Sequence, residues 1–507
     1  MKSRTENSIR NLIFAGIGQL FGILISLISR LIFIRVLSTE YLGLSGLFTN
    51  ILTMLSLTEL GFVTAMSYQL YKPIAENDKE KIKSLINFYR KVYFSIAIII
   101  TILGIITLPF YRHLMDKVPS IPNLDLIYML FVLNTSASYL FSHKRLLIIG
   151  DQNRYIATIY RYAFYFILNV CQIIVLITTK NYILFLVVQI LMTLAENIML
   201  NRKANRMYPY LKEGNVKKLS KKDHNQIIGN VKSMFYHKFG GVVLNSTDNI
   251  VISKVLGLVS VGIYSNYMLI ITALKTIIMQ IFSSVVASIG NLHVDADRRK
   301  MTEIFEKTFF ADYFIHIIST ICLICLINPF IKIWLGKKFL LDTFTVYCIA
   351  INYYLFGMRR TCMSFREATG NYSRDKYSPI IEAVINIVTS IILAKYIGLA
   401  GVVLGTIISS LFTNFWWEPL VISEKSLVID LKDYLAMYFK YSIVGIIIAF
   451  FTIFINSLIP TNNFLYFLIK MFVSLVISIG MFLIIYRKND NYKFYKYLAK
   501  GVLLKKH

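Results

Sequence analysis

A few ionisable residues lie inside long apolar runs, where a charge is costly unless it meets water, a partner or a substrate; the foremost are Arg30, Glu59, Lys238, Asp248 and Lys275. Lys275 stands at the middle of the run 261–288. At about 1.5 Å rise per residue its ammonium would lie roughly 20 Å from either end of a helix, farther than a lysine stem can snorkel. A cation at that depth must face water or an anion, and a diphosphate crossing a membrane needs such a group in place of its lost hydration. An ion pair with Glu59 or Asp248 that merely locks two helices is the structural alternative. Arg30, near the far end of the first run, suits either outward snorkelling or a bidentate clamp on phosphate. Asp248 occupies nearly the same depth on a later run, so the two could meet as a gate pair. Glu59, in Thr58-Glu59-Leu60-Gly61, suits a helix–helix hydrogen bond, or protonation or binding of a coupling cation. Lys238, beside His237, could draw a lipid diphosphate inward or snorkel to the interface. Glu196, Asp312, Glu382 and Glu418 fall close to run ends and are expected to be solvated.

Other chemistries find no support in the sequence. There is no Walker motif, and Gly16, Gly18 and Gly22 have the wrong spacing and setting for a dinucleotide fingerprint, so they are read as close helix packing. The five cysteines (Cys171, Cys322, Cys325, Cys348, Cys362) lie in or at the end of apolar runs, without a matching pair of histidines, which argues for reduced packing residues and against a metal site. No loop is long enough for a soluble catalytic domain; the longest outer one, 112–123, offers only His113 and Asp116.

The elements that must hold these residues are membrane spans. The 507 residues are 56% hydrophobic, gathered in runs long enough to cross a bilayer as helices, which satisfy their own backbone hydrogen bonds. The expected fold is all-α: a polytopic membrane protein of about fourteen transmembrane helices, near 11–37, 42–69, 92–111, 124–143, 156–178, 182–200, 231–254, 261–288, 309–335, 343–361, 378–396, 399–422, 436–458 and 463–486. The formal charge of +27 would suggest nucleic acid in a soluble chain. Here most Lys and Arg fall in alternate loops, which excludes a nucleic-acid partner and places both termini in the cytoplasm. The first run continues without a small-residue cleavage site, so it is expected to stay as helix one.

A weak internal repeat organises these spans. At an offset of 219, Arg35-Val36-Leu37 falls on Lys254-Val255-Leu256 and Gly43 on Gly262; Gly150 and Arg154 fall on Gly370 and Arg374 at 220. Six helices per copy is an even number, so both copies enter from the same side, as in transporters built from parallel repeats. The expected domains are an N-lobe at 1–200, a cytoplasmic linker at 201–230 with a helix start at Ser220 to Asp223, a C-lobe at 231–422, and two C-terminal helices with a basic tail at 423–507.

The stretch Arg30-Leu31-Ile32-Phe33-Ile34-Arg35-Val36-Leu37-Ser38-Thr39-Glu40-Tyr41-Leu42-Gly43-Leu44, with Leu57-Thr58-Glu59-Leu60-Gly61 and Tyr71-Lys72-Pro73, resembles the first two helices of the O-antigen and capsule repeat-unit flippases. His237-Lys238-Phe239-Gly240, Asp248-Asn249-Ile250-Val251-Ile252-Ser253 and Gly262-Ile263-Tyr264-Ser265-Asn266-Tyr267 resemble that family's helices seven and eight. The family belongs to the multidrug/oligosaccharidyl-lipid/polysaccharide (MOP) superfamily. The resemblance implies a flippase of the bacterial cytoplasmic membrane that moves undecaprenyl-diphosphate-linked oligosaccharide by alternating access of two six-helix lobes. Its partners would be that lipid-linked substrate, the surrounding membrane lipids, and the polymerase and assembly proteins of polysaccharide synthesis. It implies no cofactor and no ATP hydrolysis, and is compatible with coupling to a cation or proton gradient. Headgroup contacts would fall to Lys275, Arg30 and Lys238, and gating or ion coupling to Asp248 and Glu59. A multidrug or cation antiporter of the same superfamily would prefer an acidic cavity, which Arg30 and Lys275 oppose; a membrane-bound polysaccharide polymerase would be expected to carry a catalytic outer loop.

Overall fold

The computed structural model describes residues 4–59, 62–213, 216–295, 298–369, 377–425, 429–460 and 463–504, and among these there are helices and turns but no strand. The longer helices are α1 (Arg4–Val36), α2 (Thr39–Leu55), α3 (Phe62–Ala75), α4 (Lys79–Thr107), α5 (Leu124–Tyr139), α6 (Arg145–Gly150), α7 (Arg154–Thr179), α8 (Tyr182–Met207), α9 (Lys221–Leu256) and α10 (Leu258–Asp295). They continue with α11 (Arg298–Trp334), α12 (Thr343–Met358), α13 (Arg360–Thr369), α14 (Ser378–Phe412), α15 (Asn414–Lys425), α16 (Leu431–Ser457), α17 (Phe464–Tyr486) and α18 (Asp490–Leu504).

Among the described residues, nine helices are long and apolar enough to cross a membrane, or ten if the bent pair Leu124–Tyr139 and Ser142–Gly150 is one span. This is a multi-pass membrane protein, and about fourteen spans is consistent with it. The expected second span is interrupted by a 3-10 turn at Ser56–Glu59, α9 is rich in polar residues, and α12 is only 16 residues long. The expected pair 378–396 and 399–422 meets at Ile397 and Gly398, where the helical dihedrals of α14 fail and Gly398 takes φ +62°. That conformation suits glycine. The two arms then pack tightly: Ser390 Oγ donates to the Val402 carbonyl at 3.1 Å and Asn386 Nδ2 to Thr406 Oγ1 at 3.0 Å.

The chain forms two compact units, Met1–Ser265 and Asn266–His507. In the first, α9 packs on α2 and α3. Its N-cap is the one expected, with the Asp223 backbone N–H donating to Ser220 Oγ at 3.1 Å. There is no separate surface helix, however, because α9 runs unbroken from that cap for 36 residues. Lys81 on α4 ties its start down, with Nζ 2.7 Å from both oxygens of Asp223. The core here is aliphatic with a few tyrosines, among them Leu70, Leu85, Tyr89, Ile100 and Leu147.

The second unit is held by an aromatic core in which α11 packs against α12, α16 and α17. Phe305, Phe309, Tyr313, Phe365, Tyr441 and Phe482 belong to it, and the Tyr313 and Tyr441 rings stack at 4.7 Å. Offset stacking of this kind adds about 0.5–1.5 kcal/mol to the burial of each pair. On α16 and α17 the opposite faces carry exposed Ile446, Phe450, Phe454, Phe472 and Ile484, the surface a helix offers to lipid. Lys470, buried on α17, donates to the Asn456 carbonyl at 3.0 Å, so its place inside a span is accounted for.

Candidate functional site

The glycines expected to pack helices do so at Gly18 and Gly22, which lie against the Tyr162 ring of α7. A closer contact joins α2 and α10 inside the first unit. A Cβ at Gly43 would overlap the Leu258 carbonyl, and a Cβ at Gly262 would overlap the Thr39 carbonyl. The offset of 219 relates Gly43 to Gly262 and also Thr39 to Leu258, so each repeat offers the same two positions to the other. Such a contact is isologous, the kind a two-fold axis produces. The later echo, Gly370 and Arg374, lies outside the described residues.

Arg30 sits beside this contact. Its Nη1 donates to Ser265 Oγ at 3.1 Å, and Tyr165 and Tyr182 lie near its guanidinium. Asn249, the repeat equivalent of Arg30, approaches Gly46, the equivalent of Ser265. Hydroxyls rather than a carboxylate thus surround Arg30 among the described residues. Asp248, expected as its gate partner, lies near Tyr264. Lys275, in the second unit, places its ammonium 4.0 Å from the centroid of Phe356, a cation–π contact worth about 0.5–2 kcal/mol. The side chain of Lys238 lies outside the described residues. Glu59 accepts a hydrogen bond from Tyr139, the helix–helix bond expected of it, at the turn that splits α2 from α3.

The expectation of solvated carboxylates at run ends fails for three of the four. Asp312 is fully buried and its Oδ2 accepts from the Thr361 backbone N–H at 3.0 Å and from Thr361 Oγ1 at 2.7 Å, while Oδ1 stands 2.7 Å from His316 Nδ1. Glu418 is buried and bidentate on Arg359, with Nε to Oε2 at 3.0 Å and Nη2 to Oε1 at 2.8 Å. Glu382 is buried beside the same guanidinium, its Oε1 3.6 Å from Arg359 Nη1, and its Oε2 accepts from Asn414 Nδ2. Only Glu196, paired with Arg145 in the first unit, keeps partial exposure at 19%. These carboxylates are buried because α13 and α15 cover the end of this helix cluster. A sequence signal was present. Tyr139-Leu140-Phe141-Ser142-His143-Lys144-Arg145 and Tyr354-Leu355-Phe356-Gly357-Met358-Arg359-Arg360 share one pattern, and each supplies a basic residue that bridges to a glutamate two spans later.

These features define a class by fold. No protein-family model matches the sequence, and no curated protein does. Solved structures match over most of the chain. A lipid II flippase, MurJ, in an inward closed conformation aligns with a TM-score of 0.67 at 18% identity, covering 94% of this chain and 99% of that one. An inward-facing multidrug resistance MATE family transporter of the MOP superfamily aligns at 0.64 and 14% identity, covering 82% and 98%. A MOP superfamily transporter from Pyrococcus furiosus aligns at 0.53 and 14%, covering 83% and 96%. The fold is that of the MOP-superfamily transporters, as the sequence resemblance implies.

Proposed function

We propose that this protein is a flippase of the bacterial cytoplasmic membrane, moving undecaprenyl-diphosphate-linked oligosaccharide repeat units by alternating access. The observation that carries the reading is Arg30: a guanidinium inside a membrane-spanning helix, held by Ser265 and, among the described residues, flanked by tyrosines rather than a carboxylate. Such a group keeps its full charge and planar fork for a phosphate. Lys275 adds a second cation within a span, resting on an aromatic ring that leaves its charge in place. The flippase among the similar structures supports the substrate class. The basic loops favour cytoplasmic termini, which puts the α1–α2 and α9–α10 junctions on the outer side, and the two repeats are proposed to act as six-helix halves.

The test is a proteoliposome assay that follows exposure of a fluorescent polyprenyl-diphosphate oligosaccharide to an impermeant enzyme in the opposite leaflet. Wild-type protein should transfer the lipid, whereas Arg30→Ala and Lys275→Ala should abolish transfer at normal protein abundance. Drug or cation flux without lipid transfer would replace this reading with an antiporter.

A further inference from the structure

The cluster at Arg359 holds one guanidinium and two carboxylates, all buried: Glu382 is 4% and Glu418 2% exposed. Arg359 is already engaged, giving Nε and Nη2 to Glu418 and Nη1 to Ser410 Oγ at 2.8 Å. Asn414, which offers Glu382 its amide, is itself oriented by a hydrogen bond from Ser378 Oγ to its Oδ1 at 2.6 Å. Glu382 Oε1 has no hydrogen-bond partner. No other cation faces Glu382 from the described helices. Arg360 is turned toward Glu367. Beyond Arg359, α13 contributes Cys362, whose thiol lies 3.6 Å from the Tyr434 hydroxyl of α16; Tyr438 stands beside them, and Asp312 of α11 is committed to His316 and Thr361. With both glutamates ionised the pocket would hold a net buried negative charge, and burying an unpaired carboxylate costs far more than burying a neutral carboxyl.

We propose that Glu382 is a proton-binding site that governs the Arg359–Glu418 clamp. In this conformation the carboxyl holds its proton, and Arg359 stays bidentate on Glu418, binding the junction of α12 and α13 to α15. Transfer of the proton to water turns Glu382 into a second carboxylate competing for one guanidinium. Arg359 is then drawn from α15 toward α14, and the clamp opens. Two like charges sharing one counter-ion titrate as a coupled pair, so the proton belongs to the cluster and resides on the carboxyl that Arg359 leaves unpaired. This site rests on the transport reading only for its purpose, coupling a proton to the conformational cycle; proton binding itself does not depend on the substrate.

Infrared difference spectroscopy on the purified full-length protein, recorded between acid and alkaline pH, tests the assignment. A neutral carboxylic acid band should persist at neutral pH in wild type, vanish in Glu382→Gln, and remain in Asp312→Asn. It should also vanish in Glu418→Gln, because Glu382 would then ionise as the sole partner of Arg359. That variant keeps Glu382 intact and decides the matter even if Glu382→Gln fails to fold. Absence of the band in wild type, or its survival in both glutamate variants, overturns the proposal. In proteoliposomes an imposed pH gradient should accelerate wild-type transfer and leave Glu382→Gln indifferent; an equal response of both also overturns it. If wild type transfers no lipid-linked substrate at all, the flippase reading falls and the infrared result alone judges Glu382.

Discussion

The first unit bridges Arg145 to Glu196, one cation to one carboxylate, with the two side chains 28% and 19% exposed. The second bridges Arg359, which follows the shared Tyr-Leu-Phe pattern at the position of Lys144, to Glu418, but buries the pair and adds Glu382. No carboxylate occurs anywhere along α7, whereas α14 carries Glu382 near its start. The first unit therefore carries a balanced, solvent-relieved bridge and the second an unbalanced, sequestered one.

The sharpest way to break this comparison is to remove the cation from each bridge. Arg359→Ala strands the buried Glu418 carboxylate beside the Glu382 carboxyl and should cost about 3–5 kcal/mol, seen as a large fall in thermal unfolding temperature in detergent. Arg359→Lys should recover only part of it, since an ammonium cannot span both oxygens of Glu418 while holding Ser410. A smaller and symmetric loss is expected where the halves agree. Gly43→Ala and Gly262→Ala each push a methyl into a backbone carbonyl and should each cost about 1–3 kcal/mol; a strongly unequal pair of values would argue against the isologous contact. Gly16→Ala, with nothing within 4 Å of its Cβ, is the control and should lose nothing. Smallest of all, Arg145→Ala and Glu196→Gln should cost about 0.5–1 kcal/mol, and a double-mutant cycle between them should show coupling below that of Arg359 with Glu418. Equal coupling in the two units would erase the contrast.

Much of the fold was legible because lipid imposes a simple rule: apolar runs of spanning length become helices. Even the α14 hairpin followed, since Gly398 interrupts two apolar runs at a place where only a tight reversal can join them. The break at Ser56–Glu59 was not legible, for Thr58 and Glu59 read as polar residues within a continuous run. The site was legible in part. Arg30 and Lys275 announce themselves as charges at depth, but their partners, Ser265 and Phe356, come from distant segments with no periodicity to mark them. Glu382, Glu418 and Asp312 were passed over because distance from a run end measures depth only if nothing caps that end. Here two short helices, α13 and α15, do.

The contact between Gly43 and Gly262 lies wholly within Met1–Ser265, and this bears on how the protein is made. A chain synthesised at about 5–20 residues per second presents both glycines while most of the second unit is still untranslated. The two helix junctions can close on each other at that stage, with carbonyl against glycine and no side chain to be squeezed out.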